Sequence, residues 1–487
     1  MATGPAQCQN VSESVGEGKK IMTKQLRIVP VLLILVLAFD GPVATSQTPD
    51  IDTGTATGAQ EIRLALPDFP LQNIASDGVA NASALAETFN DVLWNDLEFA
   101  GIFAMVGKSF YPSEFDGTTF DVDTAEWTDP AVGAHVMTFG HAEIDSSNRF
   151  YVEAHLWDLQ VPADARELLG QSGLAFRIEA SERGVRTLAH QIADRIVLQL
   201  GGGIRGIAQT KIVFASDRNS VGDGYPQKEI FVMDYDGYNQ QQVTTLRSTA
   251  LTPRWSHDNS RIAFTHMRDD GVDIEVISPV DRQGFAFPRF SGTTTTPAWA
   301  PGGRRIVFAS SHAMLNGEPD MELYISDANG DNVRRLTVSR GTDISPVWNP
   351  VTGAQIAFVS DRLGTPQIFV MDVEGGNLIQ ISEGGHADEP AWSPDARLIA
   401  YAWQPPGGGQ SDIYLYDFQT GRNVQLTESD GFNERPSWSP DGRHLVFQSD
   451  RNGSMQIYTM LANGSRVRRL SSQGNNESPA WSNYMAQ

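Results

Sequence analysis

Cysteine is almost absent: Cys8 stands alone in 487 residues, so no internal disulfide can form and no cysteine-held zinc or iron–sulfur cluster can be assembled. Positive charge is scarce as well. Against 36 Lys and Arg stand 59 Asp and Glu, a formal net charge of -23 that opposes the counterion release behind most nucleic-acid affinity and excludes nucleic acid as a partner for the body of the chain. No Gly-x-Ser-x-Gly elbow, His-Glu-x-x-His pair or Gly-x-x-x-x-Gly-Lys loop occurs, so no nucleophilic serine, zinc-bound water or nucleotide is signalled. Long apolar runs are missing too, with one exception from Ile28 to Phe39, which is shorter than the roughly 20 residues a spanning helix needs. Lys24 and Arg27 precede it and the small residues Ala44 and Ser46 follow, the pattern of a removable secretory signal. Residues 1–46 are therefore expected to be cleaved, leaving a cysteine-free chain suited to a bacterial periplasm.

What remains is globular in composition, 40% hydrophobic and 20% charged, with apolar material enough for a core. Residues 47–60 read as a flexible segment, and residues 61–200 as a mixed α/β domain without repeats. Glu61 to Leu66 and Phe103 to Val106 are strand-like. Ala82 to Phe99 and Val185 to Leu200 carry helical apolar spacing, and Ala134 to Ile144 with Phe150 to Trp157 alternate as a hairpin. Gly201-Gly202-Gly203 ends the second helix and opens a linker over residues 201–210.

From residue 211 to 487 the chain is periodic. Pro-x-Trp recurs six times, at Pro253/Trp255, Pro297/Trp299, Pro346/Trp348, Pro390/Trp392, Pro436/Trp438 and Pro479/Trp481, at a spacing proper to a four-stranded propeller blade. Two further strand types recur with it, as in Ile212-Val213-Phe214 and Ile230-Phe231-Val232, usually followed by a turn such as Asp236-Gly237. The first block begins at Lys211 without a Pro-x-Trp strand, and the last Pro-x-Trp has almost nothing after it. The C-terminal strand is thus expected to complete the first blade and close the ring. The fold class is accordingly an all-β six-bladed β-propeller preceded by a smaller α/β domain.

Several chemically suggestive groups read better as structure. Ser393-Pro394-Asp395 and Ser439-Pro440-Asp441-Gly442 fit turns. Asp217-Arg218, Asp361-Arg362 and Asp450-Arg451 recur at one phase and fit a salt bridge or turn bond within each blade. His135, His141 and His155 on the expected hairpin lack the spacing of a zinc site. The six tryptophans are expected to wedge between blades as core, and His386-Ala387-Asp388-Glu389 to form a solvated loop. No catalytic, cofactor or metal residue is assigned.

The Trp-Ser-Pro-Asp-Gly-like repeats, the Lys211-Ile212-Val213-Phe214-Ala215-Ser216-Asp217-Arg218 strand and the stretch Asp234-Tyr235-Asp236-Gly237-Tyr238-Asn239 together resemble the TolB family, periplasmic propellers of the Tol-Pal cell-envelope system, over about residues 60–487. The resemblance implies a non-enzymatic, monomeric adaptor, peripheral to the envelope membranes. It implies that the channel mouth receives the peptidoglycan-associated lipoprotein, that an N-terminal segment engages TolA, and that the protein supports outer-membrane integrity and invagination at division. The family's lipoprotein contacts lie in loops just before Pro-x-Trp, which points here to Thr249, Thr252, Thr293, Thr296, Thr342, Asp343, His386, Asp388, Glu389, Asn433, Glu434, Arg435, Asn475, Asn476 and Glu477. Where the family carries a short, partly apolar TolA-binding stretch, Gln47 to Gln60 is rich in Thr, Gly and Ala. The rival reading is a propeller enzyme, a glycan lyase or hydrolase, using an acidic channel loop such as Asp388-Glu389.

Overall fold

Each repeat closes on itself as a four-stranded antiparallel sheet in the computed structural model, which describes residues 62–74, 81–112, 115, 122–170, 173–221, 227–312, 314–315 and 318–485. The chain divides into two units, Met1–Thr48 and Pro49–Gln487. The first unit, and with it the expected signal, lies outside the described residues, as do the segment 47–60 and Glu61.

The α/β part has a mixed sheet of β1 (Ile62–Ala65), β2 (Leu71–Ile74), β3 (Phe103–Met105), β4 (Val136–Ile144), β5 (Arg149–Asp158) and β6 (Leu174–Glu179). Its order is β3-β1-β4-β5-β6, with β2 also pairing β4. The pairs β1/β3, β1/β4 and β2/β4 are parallel, and the hairpin β4/β5 and β5/β6 are antiparallel. Helices α1 (Ala82–Phe99) and α3 (Glu182–Leu200) pack together on one face, burying Leu85, Phe89, Leu93, Leu188, Ile192 and Ile196. Ser181 caps α3 by accepting the Gly184 N–H. The short α2 (Thr124–Thr128) buries Trp127 on the other face, against Met137 and Phe139. Sequence periodicity misses β2, β6 and α2, which are too short or too exposed to show an apolar rhythm.

Six blades follow, defined by their first strands. Blade I combines Asn476–Trp481 from the C-terminus with Lys211–Ser216, Glu229–Asp234 and Gln241–Gln242, so the ring is closed by the last strand. Blades II to VI begin at Thr249–Trp255, Thr294–Trp299, Asp343–Trp348, His386–Trp392 and Asn433–Trp438. The first strands contact one another around the full circle and line the axis. The chain is thus a six-bladed propeller behind an α/β domain, as the repeats require.

Five of the Pro-x-Trp tryptophans are buried between blades, and Trp255 is partly exposed. Four indole N–H groups donate to a backbone carbonyl of the preceding blade: Trp255 to Ala480, Trp299 to Arg254, Trp348 to Ala298 and Trp438 to Ala391, at 3.0–3.2 Å. Trp481 donates to Thr210 Oγ1 at 2.8 Å, whereas the buried Trp392 Nε1 has no acceptor among the described residues. Trp392 instead stacks on Phe418, with ring centroids 5.0 Å apart. Removing the N–H should therefore cost about 1 kcal/mol more at Trp438 than at Trp392. Urea unfolding of Trp438→Phe against Trp392→Phe checks this, and equal losses would refute it.

The Ser-Pro-Asp segments are turns in which Asp395 and Asp441 accept bonds from the serine hydroxyl and from the backbone N–H two residues on. A single apolar core runs from the α/β helices into blades I and VI through Ile212, Phe214, Tyr235, Val446, Ile457 and Trp481. Gly237 in the turn after the third strand of blade I has φ +88°, and a Cβ there would lie 2.6 Å from the Leu470 carbonyl of blade VI, so only glycine fits.

Candidate functional site

The candidate residues belong to the start of each first strand, and here one expectation is corrected. His386 to Glu389, Asn433 to Arg435, Asp343, Asn476 to Glu477, Thr249, Thr252 and Thr296 are not in loops; they lie on the strands that line the channel, while Thr293, Thr342 and Asn475 directly precede such strands. The ring of first strands sets them side by side at one end of the channel. In each blade the ladder slips just before the proline, as between Leu251 and Arg254 or Asp388 and Ala391. The residue at the slip is left-handed in all six blades: Thr252, Thr296, Ser345, Glu389, Arg435 and Ser478 have φ between +49° and +59°. A non-glycine residue in this region carries strain of about 1 kcal/mol or more, and bulges of this kind re-aim side chains beside binding sites.

Four candidates point inward. Thr252, Asp343, Asn433 and Asn476 are buried, the last three completely, which removes them as contact residues. Their partners explain the recurring Asp-Arg pair. Asp217, Asp361 and Asp450 accept the backbone N–H of Asn475, Thr342 and Phe432 at 2.6, 2.7 and 2.8 Å. The neighbouring arginines reach one step further: Arg218 to Asn476 at 2.8 Å, Arg362 to Asp343 at 2.9 Å and Arg451 to Asn433 at 2.7 Å. Each dyad clasps the first strand of its own blade, in blades I, IV and VI.

The accessible candidates split the mouth in two. Blades V, VI and I present Asp388, Glu389, Glu434, Arg435, Glu477 and Ser478, four carboxylates to one guanidinium, while the matching positions of blades II to IV are Leu251, Thr252, Thr295, Thr296, Ile344 and Ser345. Glu389 meets Arg435 Nε at 2.8 Å and accepts the Arg435 N–H at 2.7 Å. Burial pushes its carboxyl up to about 7, against the pull of Arg435, with Asp388 and Glu434 adding to the rise. Asp388 accepts the Glu389 N–H at 2.7 Å, Glu434 bonds Ser411 and Gln448 at 3.0 Å, and Glu477 pairs with Lys228 at 2.6 Å. His386 is exposed, and the hydrogen bond and charge of Asp388 hold its pKa above the usual value against desolvation. Beyond this ring stand apolar side chains that water reaches: Met267, Leu363 and Phe432. An acidic, hydrogen-bonding channel mouth with an apolar rim suits docking of a protein surface, since desolvated apolar anchors supply affinity and charges supply orientation.

The three histidines of the hairpin do not converge. His135 Nδ1 accepts the Arg63 N–H, while His155 lies between Glu153 and Glu167 at 3.0 and 2.7 Å. Sequence reasoning missed a different cluster, at the junction of the two parts. The Tyr235 hydroxyl donates to Asp96 Oδ1 at 2.5 Å, His190 Nδ1 lies 2.7 Å from Asp96 Oδ2, and Arg186 pairs with Asp236. Tyr235 and Asp236 stand where the matching turns of blades III and IV carry Ala328-Asn329 and Val373-Glu374, and the tyrosine at that place is the signal that could have located it. His190, Asp234 and Asp236 bring ligand atoms within 4.8 Å of one another, but Lys211 sits 2.5 Å from Asp234 and Arg186 holds Asp236, so cationic side chains already fill the place a metal ion would take.

Comparison with known proteins agrees with this architecture. The model of the TolB beta propeller domain matches residues 199–404 and 379–485, and that of the TolB amino-terminal domain matches residues 55–163. A TolB homolog of Chlorobium luteolum is 34% identical over 299 residues, 61% of this chain and 65% of the relative. A Tol-Pal system protein TolB of Desulfosudis oleivorans is 32% identical over 64% of this chain and 65% of the relative, so the chain spans somewhat less than two thirds of these two. One of Bordetella pertussis is 29% identical over 73% of each. The crystal structure of TolB from Acinetobacter baumannii superposes with a TM-score of 0.68 at 22% identity, covering 87% of this chain and 97% of that one, a likeness of fold.

Proposed function

Because the chain belongs to the TolB family, we propose that it is a periplasmic component of a Tol-Pal system, a non-enzymatic adaptor whose channel mouth receives the peptidoglycan-associated lipoprotein. The observation that carries the reading is the split mouth itself: strained, clasped first strands hold an acidic half and a neutral half inside the apolar rim of Met267, Leu363 and Phe432. A rigid ring of this kind binds with little ordering cost, and its blade-to-blade differences fix the partner's orientation. Contacts are made by Thr249, Thr293, Thr296, Thr342, His386, Asp388, Glu389, Glu434, Arg435, Asn475 and Glu477, with Asp343, Asn433 and Asn476 acting from beneath as supports. In this reading residues 1–46 direct export and are removed, residues 47–60 reach TolA, and a monomer links the outer membrane to peptidoglycan and helps it invaginate at division.

Calorimetric titration of the chain from Gln47 with the lipoprotein's soluble domain tests this. One-to-one binding is expected, weakened at least tenfold, about 1.4 kcal/mol, when Thr293→Arg and His386→Ala are combined. No heat at high micromolar concentration from a chain shown to be folded would sink the named partner.

A further inference from the structure

The opposite end of the channel has a chemistry of its own. Here the first strands end at their tryptophans, and a vestibule of ≈ 380 Å³ opens between the tryptophans of all six blades and the turn prolines Pro301, Pro350, Pro394 and Pro440. The middle residue of Pro-x-Trp faces this space in five blades. It is Ala298, Val347, Ala391 and Ser437 in four of them, and Arg254 in the fifth. Small residues around the circle thus leave room that a single guanidinium enters. Among the described residues the one side-chain hydrogen bond of Arg254 runs from Nη1 to the carbonyl of its own neighbour Pro253 at 2.9 Å, and no carboxylate lies within ion-pair distance of it. One layer deeper the carboxylate of Glu389 is taken by Arg435 at 2.8 Å.

An aromatic and proline-lined cavity of this size with one convergent charged donor is the usual form of a small-molecule site. A guanidinium in such surroundings prefers a planar oxyanion that takes two parallel N–H bonds, while the indole and proline faces favour a compact apolar body. We infer that the Trp-lined mouth binds a small organic carboxylate, its oxygens on Arg254 and its apolar part against the tryptophans. Burial and the nearby Arg435, against the pull of Glu389, hold the Arg254 pKa down to about 10, still high enough to keep it charged at neutral pH. The site adjoins the lipoprotein mouth, since Glu389 and Arg435 lie one layer from Arg254 in the same channel.

Titration of the full chain with 3-phenylpropionate, read by tryptophan fluorescence and calorimetry, tests the assignment against its neutral counterpart 3-phenylpropanamide. The acid is expected to saturate one site and to bind at least tenfold more tightly than the amide. Arg254→Met should bring the acid down to the level of the amide, and Arg254→Lys should fall between. Equal binding of acid and amide to the native chain, no saturation at millimolar concentration, or unchanged affinity in a folded Arg254→Met variant would overturn the proposal. The comparison of acid with amide needs no variant, so it decides the matter even if Arg254→Met does not fold.

Discussion

A chain ending at Gln473 is expected to lose the cooperative unfolding transition of the whole propeller. Asn476–Trp481 is the first strand of blade I, and its register against Lys211–Ser216, from Asn476 opposite Ser216 to Trp481 opposite Ile212, supplies half of that strand's ladder. The lost residues do more than pair. Trp481 is buried in the core shared by both parts of the molecule and donates to Thr210, Lys211 N–H donates to Ser482 Oγ, and Asn259 of blade II donates to the carbonyls of Asn483 and Tyr484. Truncating Trp481 to alanine alone should cost about 3–5 kcal/mol, against total stabilities of about 5–15 kcal/mol for ordinary domains. Removal of the strand adds an open, apolar sheet edge at Lys211–Ser216, which invites aggregation. Thermal and urea unfolding of the truncated chain and of Trp481→Ala measure both effects. A truncated chain that unfolds cooperatively near the native midpoint would show that the ring does not depend on its closure.

Asp96→Ala is expected to separate the α/β domain from the propeller in unfolding, at a cost of about 3–5 kcal/mol. Asp96 on α1 is buried and joins His190 of α3 to Tyr235 of blade I, so its loss leaves a buried hydroxyl and a buried imidazole without their acceptor. Neighbouring contacts across the junction, such as Arg468 to Glu98 at 2.7 Å and the buried His444 Nε2 to the Phe99 carbonyl at 2.8 Å, involve neither His190 nor Tyr235 and cannot replace it. The variant should show two calorimetric transitions where the native chain shows one.

The same group gives the junction a pH dependence of definite sign. Burial draws the His190 pKa down, but the Asp96 and Asp236 carboxylates outweigh it and, with Arg186 opposing them, hold it above the usual 6.5. Burial likewise holds Asp96 above its ordinary 3.8. Both groups therefore bind protons more tightly when folded. The stabilisation due to His190 is fully present below pH 6.5 and is lost as pH rises through its folded value. Stability measured from pH 6 upward should decline in the native chain and decline less in Asp96→Ala. A native profile that rises over this interval would contradict the pairing.

Much of the architecture was legible because its causes are local. Apolar alternation in Ile212-Val213-Phe214 and its copies, the Pro-x-Trp period and the missing first strand at Lys211 imply six blades and their closure without any coordinates. The apolar spacing of Ala82 to Phe99 likewise matches α1 residue for residue. The candidate site was legible only in part. A proline after Thr252, Glu389 or Arg435 suggested a loop, since proline usually ends regular structure, yet the first strand runs through it on a bulge. That bulge needs a neighbouring strand for its register, and a single segment carries no record of it. Nor could alternation show that Asp343, Asn433 and Asn476 turn inward, because the arginines that hold them lie 18 to 258 residues away in the chain.

By itself, then, the sequence determined the number of blades, the closing strand, the two long helices of the α/β domain and the absence of cysteine chemistry, all of which follow from short-range periodicity and composition. Only the tertiary structure decided which polar residues meet. The two-sided charge of one mouth, the lone Arg254 in the other and the Asp96–His190–Tyr235 junction each join residues from distant repeats or from both domains, and electrostatic partners of that kind are chosen by proximity in space, which no local pattern encodes.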